Sequence, residues 1–494
     1  MEKHVLSKST FIRGCQCEKS LYLNKEHPEL RQEISEHLQA IFDRGHRIGE
    51  LAQQLFPGGV NAKPSTPFLY QQSVKETREY IDADCEVIYE ATFQYDGVLA
   101  ALDILVKEND KWKAYEVKSS TSVSDTYKID AAVQYYVITN SGIKPEDISI
   151  VYLNNEYERM GELDIHQLFR IESVSEDVRG LQDFVKNKIA ELKSVLLKKE
   201  IPNIDIGLHC STPYECDFIS HCWKHIPDNS VFNISRLNTS RKFEMYNEGI
   251  IEFKDIPKDE PLNDKQWMQV DSALNNTEYI DKEGLQEFMN TIRYPLYFMD
   301  FETFMPAIPL FDHSRPYQQI LFQYSLHYQE SQDKKLKHYE FLAEAGVDPR
   351  IQFIETLLQN TSEKGAIFVY NEAFETMRLK EIARDFSEYK KDIEERIARI
   401  KDLMIPFQKK LIYKPRMQGS YSIKAVLPAL VPELSYENLE IKEGGSAMSA
   451  YEELLYEKDI EKILQIRKNL LEYCKMDTMA MVKIIEALRK MLKY

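Results

Sequence analysis

The pattern of apolar and polar positions divides the chain by the kind of element it predicts. Apolar runs at 85–106, 112–118 and 148–153 read as strands, and helical periodicity marks 126–140 and 176–199. Residues 229–290 carry turn signals between short helical patterns at 263–275 and 282–292, and read as a small helical connector. Strand patterns return at 295–301, 319–328, 336–342 and 366–370, followed by a long helical stretch from about 372 to 410 and a terminal helix at 458–493. The expected fold class is α/β, with one mixed domain over 1–228, the connector over 229–290 and a second α/β domain over 291–494.

The chain has 494 residues, enough for two to four domains, and its 43% hydrophobic and 11% aromatic content supplies their cores. The longest apolar runs, such as 366–370, have strand length and fall well short of the ~20 residues a membrane span needs. The N-terminal MEKHVLSKST has no apolar core of a signal peptide, so the expected location is cytoplasmic, with no membrane partner. A net charge of −17 argues against a charge-driven nucleic-acid coat but leaves room for carboxylates that hold metal ions. Seven cysteines in a large chain of this kind argue against a disulfide framework. Five of the seven fall in two clusters, Cys15 and Cys17, then Cys210, Cys216 and Cys222, which points to a metal site.

Asp103 sits within an apolar run, Ala101-Leu102-Asp103-Ile104-Leu105, where an unpaired acid is costly. A turn at Glu108–Asp110 leads into 112–118, where Glu116 and Lys118, two residues apart, share one face. A hairpin brings Asp103 to the same edge. Two carboxylates can hold a divalent ion that activates water, and a neighbouring lysine can stabilise developing charge. The competing reading is a solvated hairpin with surface charges. Gln134 follows on a helix, in AAVQYY. Asp103, Glu116-Val117-Lys118 and Gln134 resemble the PD-(D/E)XK nuclease motif of the RecB-like branch. The resemblance implies a restriction-endonuclease-like fold, Mg²⁺ or Mn²⁺ on Asp103 and Glu116, a catalytic Lys118, and Gln134 in the family's QxxxY helix. Ile138 stands here where that motif has Tyr. The resemblance also implies an upstream metal-ligating His. His46, in RGHRIGE, is the candidate, although Gly49 occupies the register position of the family's GxxxH.

One early and three late cysteines can form a four-thiolate site that staples the two ends of the first domain. This arrangement resembles the RecB-like nucleases that carry a [4Fe–4S] cluster, including CRISPR-associated ones and helicase–nuclease subunits of the AddB type. It implies a [4Fe–4S] cluster on Cys17, Cys210, Cys216 and Cys222, with Cys15 as the alternative first ligand. Zinc is the alternative metal, with His209, His221 and His225 nearby, but the five-residue gaps do not match C-x2–4-C knuckles. Cys85 and Cys474 read as small buried residues.

In YFMDFETF, Asp300 and Glu302 share a face of an apolar strand, a placement that calls for cations. Near the C-terminus, Tyr473 and Asp477 are four apart on one helix face. Together they resemble the DnaQ-like exonuclease family, with DxE on the first strand and YxxxD on the last helix. That resemblance implies an RNase H-like fold, metal ions on Asp300, Glu302 and Asp477, and a Tyr473 that orients water. In FVYNEAFETMRL, Asn371 matches the family's middle motif and Glu375 stands where it usually has Asp. Asp402 is a weaker alternative acid, read as structural or helix-capping. Lys424 and Gly444-Gly445 read either as contacts to a nucleic-acid backbone or as a surface lysine and a turn.

The order of these motifs along the whole chain resembles an uncharacterised bacterial family of predicted nucleases. The expected function is a metal-dependent nuclease, exonuclease favoured, acting on single-stranded or end-containing DNA in repair or in defence against foreign DNA. The alternatives are an Fe–S nucleic-acid-binding scaffold with inactive centres, and an RNA-processing exonuclease.

Overall fold

Two tight turns fold the strand-rich stretch of the first domain back on itself. Asp96 and Gly97 both have positive φ, 47° and 65°, as do Asn109 and Asp110, 51° and 61°. Those are the backbone angles of two-residue hairpin turns, and short polar residues tolerate them. The run at 85–106 is therefore not one strand. It belongs to the two strands β3 and β4, joined at Asp96-Gly97, and β5 follows after Asn109-Asp110.

The computed structural model describes residues 5–66, 69–361 and 364–492. It is mixed α/β and divides into two units, Met1–His225 with Ala307–Tyr317, and Ile226–Pro306 with Gln318–Tyr494. In chain order the first unit comprises β1 (Leu6–Ser7), α1 (Lys8–Gln16), α2 (Glu18–Glu26), α3 (Glu36–Ala52), β2 (Val60–Asn61) and α4 (Tyr70–Asp82). It continues with β3 (Val87–Tyr95), β4 (Val98–Glu108), β5 (Lys111–Lys118), α5 (Asp125–Asn140), β6 (Asp147–Leu153), β7 (Phe169–Ser173) and α6 (Gln182–Leu196). Its seven-stranded sheet runs β2-β3-β4-β5-β6-β7, with β1 parallel to the start of β4. The β3-β4-β5 meander is antiparallel, and α5 is the crossover that makes β5 and β6 parallel. One core, including Val133, Val137, Ile138, Ile189 and Leu192, packs α5 and α6 against this sheet. The helical expectation over 176–199 is met by α6 and a short helix at Ser175–Gly180 before it. Segment 307–317 is tied into this unit by Arg159, which donates to the Pro309 carbonyl at 2.9 Å, and by Tyr317, whose hydroxyl donates to the Ser119 carbonyl.

The second unit comprises α7 (Asp264–Asn275), β8 (Tyr279–Ile280), β9 (Leu296–Phe304), β10 (Ile320–Gln329), β11 (Lys337–Leu342), β12 (Ala366–Val369) and α8 (Glu372–Asp385). It ends with β13 (Ile400–Asp402), β14 (Ile412–Tyr413), α9 (Ile423–Leu430), α10 (Gly444–Leu454) and the 33-residue α11 (Ile460–Leu492). Its main sheet has the order β11-β10-β9-β12-β13, antiparallel on the β11 side of β9 and parallel on the β13 side. The buried positions of α11 recur every three or four residues, from Ile466 and Leu470 through Cys474, Asp477 and Met481 to Leu488, and pack it across β9 and β10.

Two expectations need correction. Residues 229–290 are not a body of their own. They are part of the second unit, because β8 pairs with β14 and the Lys410 ammonium donates to the Lys265 carbonyl and to Gln269, each at 2.9 Å. The stretch 372–410 is not one long helical run. It contains α8, a helix at Lys390–Ile397, strand β13 parallel to β12, and a short turn of helix at Ile405–Gln408. Asp402 sits in that edge strand and accepts from the backbone N–H groups of Asn371 at 3.1 Å and Met404 at 2.8 Å, a structural role.

Candidate functional site

The first unit gathers its chemistry at the edge between β4, β5 and α5. The register Ile104↔Tyr115 places Asp103 opposite Glu116, and the Val117 N–H donates to Asp103 Oδ2 at 2.6 Å. Glu116 is 1% exposed and fully partnered. Its Oε1 accepts from Lys118 at 2.7 Å and from Lys8, at the start of α1, at 2.6 Å, while Oε2 accepts from Gln134 at 2.8 Å. Lys118 also pairs with Asp130, one turn before Gln134 on α5. Burial alone would raise the Glu116 carboxyl, but Lys118 and Lys8 together hold it well below the usual carboxylate range. Burial and the Glu116 charge push Asp103 well above it.

The expected group Asp103, Glu116, Lys118 and Gln134 is therefore brought together. Sequence reasoning missed Lys8, Asp130 and Glu90. Glu90 interrupts the β3–β4 ladder with φ +55°, and burial raises its carboxyl while it senses Lys63, Lys8, Glu116 and His46. His46 lies exposed on α3, in electrostatic reach of Glu90. Among the described residues, no three potential ligands of this first group converge within 4.8 Å of one another.

The same unit joins its two chain ends around a small cavity. Cys17, Cys210, Cys216 and Cys222 all line it, with Phe218, Ile219 and Ile204 as apolar wall and Lys19 as the nearby cation. Burial pushes the Cys17 and Cys222 thiols up, and each also senses Cys216 and Cys210. Cys15 is elsewhere. It packs on the first-unit core beside Lys188 and Glu191, and burial raises its thiol to about 11. The Arg13 guanidinium, bidentate on Asp217 at 2.5 and 2.9 Å, ties α1 to the late cysteine loop.

The second unit forms a cavity of about 470 Å³ that Asp300, Glu302, Glu375 and Asp477 all line. Asp300 and Glu302 come from β9, Glu375 from the first turn of α8, and Asp477 from the middle of α11. Among the described residues none of the four forms an ion pair. Burial, reinforced by the neighbouring acids, holds Asp300 and Glu302 well above the carboxylate range. Burial pushes Glu375 up to about 8, and its Oε2 has no hydrogen-bond partner. Asp477 is pushed up to about 6 by burial, moderated by Tyr436, whose hydroxyl donates to Oδ1 at 2.6 Å.

Cys474, expected only to fill space, is fully buried but lies against this cluster. Its Sγ is 3.7 Å from Asp300 Oδ2, and Asp300, Glu302 and Cys474 converge within 4.8 Å of one another. Tyr473, Lys424 and the start of α10 complete the cavity wall. Thr478, next to Asp477, hydrogen-bonds Ser325 at 2.7 Å and His327 at 2.8 Å, which fixes α11 on β10 behind the acids. Tyr436, in the polar stretch ELSYENLE, had no sequence signal, and Thr478 had none beyond a polar group in an apolar setting.

Comparison with known proteins gives this picture family context without an activity. Residues 297–422 match the family described as a domain of unknown function, DUF2779. The matched region holds Asp300, Glu302 and Glu375. The chain is 26% identical over 225 residues to an uncharacterised protein, MG366, of Mycoplasma genitalium, which covers 41% of this chain and 33% of that protein. Its homologue in Mycoplasma pneumoniae is 28% identical over 205 residues, covering 38% and 31%. An uncharacterised protein of Ureaplasma parvum, UU173, is 29% identical over 193 residues, covering 34% and 27%. The chain thus spans about a third of the length of the curated relatives it matches. No described helix is long and apolar enough to cross a membrane.

Proposed function

We propose that this chain is a metal-dependent nuclease whose principal centre is the carboxylate cavity of the second unit. The observation that carries the reading is four clustered carboxylates, three of them buried, with no cation paired to them. Such a group is unstable as an isolated set of charges and is suited to divalent ions. The sheet order β11-β10-β9-β12-β13, with DxE on the central strand and YxxxD on the helix packed over it, supports an RNase H-like, DnaQ-type arrangement. Mg²⁺ or Mn²⁺ held by Asp300, Glu302, Glu375 and Asp477 would supply an activated water and polarise a phosphodiester. Tyr473 stays protonated at neutral pH, because burial and the neighbouring acids raise its hydroxyl far above the usual range. It therefore orients water through a hydrogen bond and does not act as base.

The first unit supports a PD-(D/E)XK-like reading through Asp103, Glu116, Lys118 and Gln134, but its Glu116 is already neutralised by two lysines. That pairing favours the second reading for this unit, a nucleic-acid-binding module. The four thiols that line one cavity are soft ligands that would hold a [4Fe–4S] cluster, with zinc as the alternative metal. DNA single strands and ends are the proposed substrate.

The test is cleavage of end-labelled single-stranded DNA and matched RNA with Mn²⁺ by wild type, by Asp300→Ala with Glu302→Ala, and by Asp103→Ala with Glu116→Ala. Loss of activity only in the first pair supports the assignment. Activity indifferent to both pairs defeats it.

A further inference from the structure

The carboxylate cavity has a second wall of opposite character. Helix α10 starts at Gly444 after an extended Glu443, and no side chain caps its first turn. Those backbone N–H groups point outward from the positive end of an 11-residue helix, an arrangement suited to anions. Gly444 and Gly445 line the same cavity as the four acids, and a Cβ added at Gly444 would lie 3.8 Å from Glu302 Oε2. Lys424, from the first turn of α9, lines it too. Its ammonium stands 5.6 Å from the Tyr473 ring centre and 5.7 Å from that of Tyr436, which holds the cation on the acid side of α9. Among the described residues Lys424 forms no salt bridge.

A cavity lined by acids repels a free anion, and one with a lysine and a helix start does not need them for cation binding alone. Both walls are satisfied by one ligand: a phosphate whose oxygens are bridged to the acids by divalent ions. The buried Glu375 Oε2, on a residue that is 2% exposed and lines the same cavity, has no partner and calls for a cation there, the divalent-ion part of that ligand. We propose that Lys424 and the N–H groups of Gly444 and Gly445 form the phosphate-oxygen subsite of this centre. They would hold the non-bridging oxygens of a nucleic-acid phosphate against the metal-binding acids. This rests on the nuclease reading and specifies how the substrate is gripped.

The test uses the full chain and two probes: hydrolysis of the p-nitrophenyl ester of thymidine 5′-monophosphate with Mn²⁺, and calorimetric binding of thymidine 5′-monophosphate with Ca²⁺. The variants are Lys424→Met, Lys424→Arg and Gly444→Pro. Proline is compatible with the first helical position after an extended residue, and it deletes one N–H donor while leaving the helix in place. The expected result is a KM about tenfold higher for Lys424→Met, partly restored by Lys424→Arg, and severalfold higher for Gly444→Pro, about 1 kcal/mol. Melting temperature should match wild type, and any gain in Mn²⁺ affinity from removing a positive charge near Glu302 and Asp477 should leave the KM loss in place at saturating Mn²⁺. KM values within twofold of wild type in Lys424→Met and Gly444→Pro overturn the subsite. So does a change confined to Mn²⁺ affinity, which would make Lys424 a counter-charge for the acids. If wild type binds the monophosphate with Ca²⁺, loses it in Lys424→Met and yet hydrolyses nothing, the subsite stands and the nuclease reading falls. If wild type neither binds nor cleaves, both fall.

Discussion

Lys8 is predicted to compete with metal for the first carboxylate group. Its ammonium lies 2.6 Å from Glu116 Oε1, and Lys118 lies 2.7 Å from the same oxygen. A divalent ion that uses Oε1 must displace one of them. Lys118 is held a second time by Asp130 and has a 17% exposed side chain, whereas Lys8 is 26% exposed, so Lys8 is the one that yields. A hydrogen bond between charged groups contributes about 1.5–3 kcal/mol. Partial exposure puts this one at the low end, about 1.5 kcal/mol, which is roughly tenfold in an equilibrium constant. Lys8→Met keeps the length of the side chain and removes the charge. On an Asp300→Asn, Glu302→Gln background, so that only the first unit reports, calorimetric Mn²⁺ titration should give a Kd about tenfold lower for Lys8→Met. The metal-free variant should melt below its parent, because Glu116 loses one of two cations, and the gap should close at saturating Mn²⁺ by mass action. A Kd that is unchanged or weaker refutes the reasoning, and shows that Lys8 supports metal binding or that no metal binds there.

Three other predictions follow from the same geometry. In the metal-free protein the second-unit acids keep protons that the unfolded chain releases near pH 4, so their stability contribution is full below about pH 4 and is lost as pH rises through about 6 for Asp477 and about 8 for Glu375. For Glu375 the ceiling is about 5 kcal/mol at 1.36 kcal/mol per unit; Glu375→Gln should melt above wild type at pH 8.5 in EDTA and converge with it near pH 5, and no difference at pH 8.5 would contradict the burial argument. Cys17→Ser should lose most of the iron and the broad visible absorption of anaerobically purified protein while Cys15→Ser keeps both; the reverse pattern would move the first ligand to Cys15. Thr478→Val keeps shape but removes the hydroxyl partner of His327 Nδ1 and leaves Ser325 with His338 alone, and should destabilise by about 1–2 kcal/mol in denaturant melts, whereas a loss under 0.5 kcal/mol would mean that water replaces the hydroxyl.

Much of the fold was legible because strong local patterns carried it. The DG pair at 96–97 and the ND pair at 109–110 are turn signals, and only the first was overlooked inside a longer apolar run. The strands β9 to β12 and the terminal helix lie within a few residues of their expected limits, because β9, β10 and the helix carry long apolar patterns and β12 is a short, sharply bounded apolar run. What failed was 372–410, where charged residues at helical spacing hid a three-residue strand. Ile400–Asp402 is strand only because β12 offers it a parallel partner, a tertiary fact with no local trace. The connector failed for a related reason, since the β8–β14 pairing closes over more than 130 residues of sequence.

The site residues divide along the same line. Asp103, Asp300 and Glu302, embedded in apolar runs, announce themselves because burying them without partners is unfavourable, and Glu116 and Asp477 stand out by their spacing to Lys118 and Tyr473. Their partners do not. Lys8 is one lysine among many near the N-terminus, Tyr436 is one tyrosine of 29, and Lys424 is an exposed residue on a short helix. Each matters through where the chain places it against an acid. The difference between the two centres then follows from those partners alone. Glu116 has two ammonium groups on one oxygen and is chemically satisfied without a metal. Glu375 has a buried oxygen with nothing on it. The two carboxylate motifs therefore describe unequal sites. On the proposed reading a cation would lower the free energy most at the unsatisfied one, which is also the one faced by a helix start and a lysine with no salt bridge.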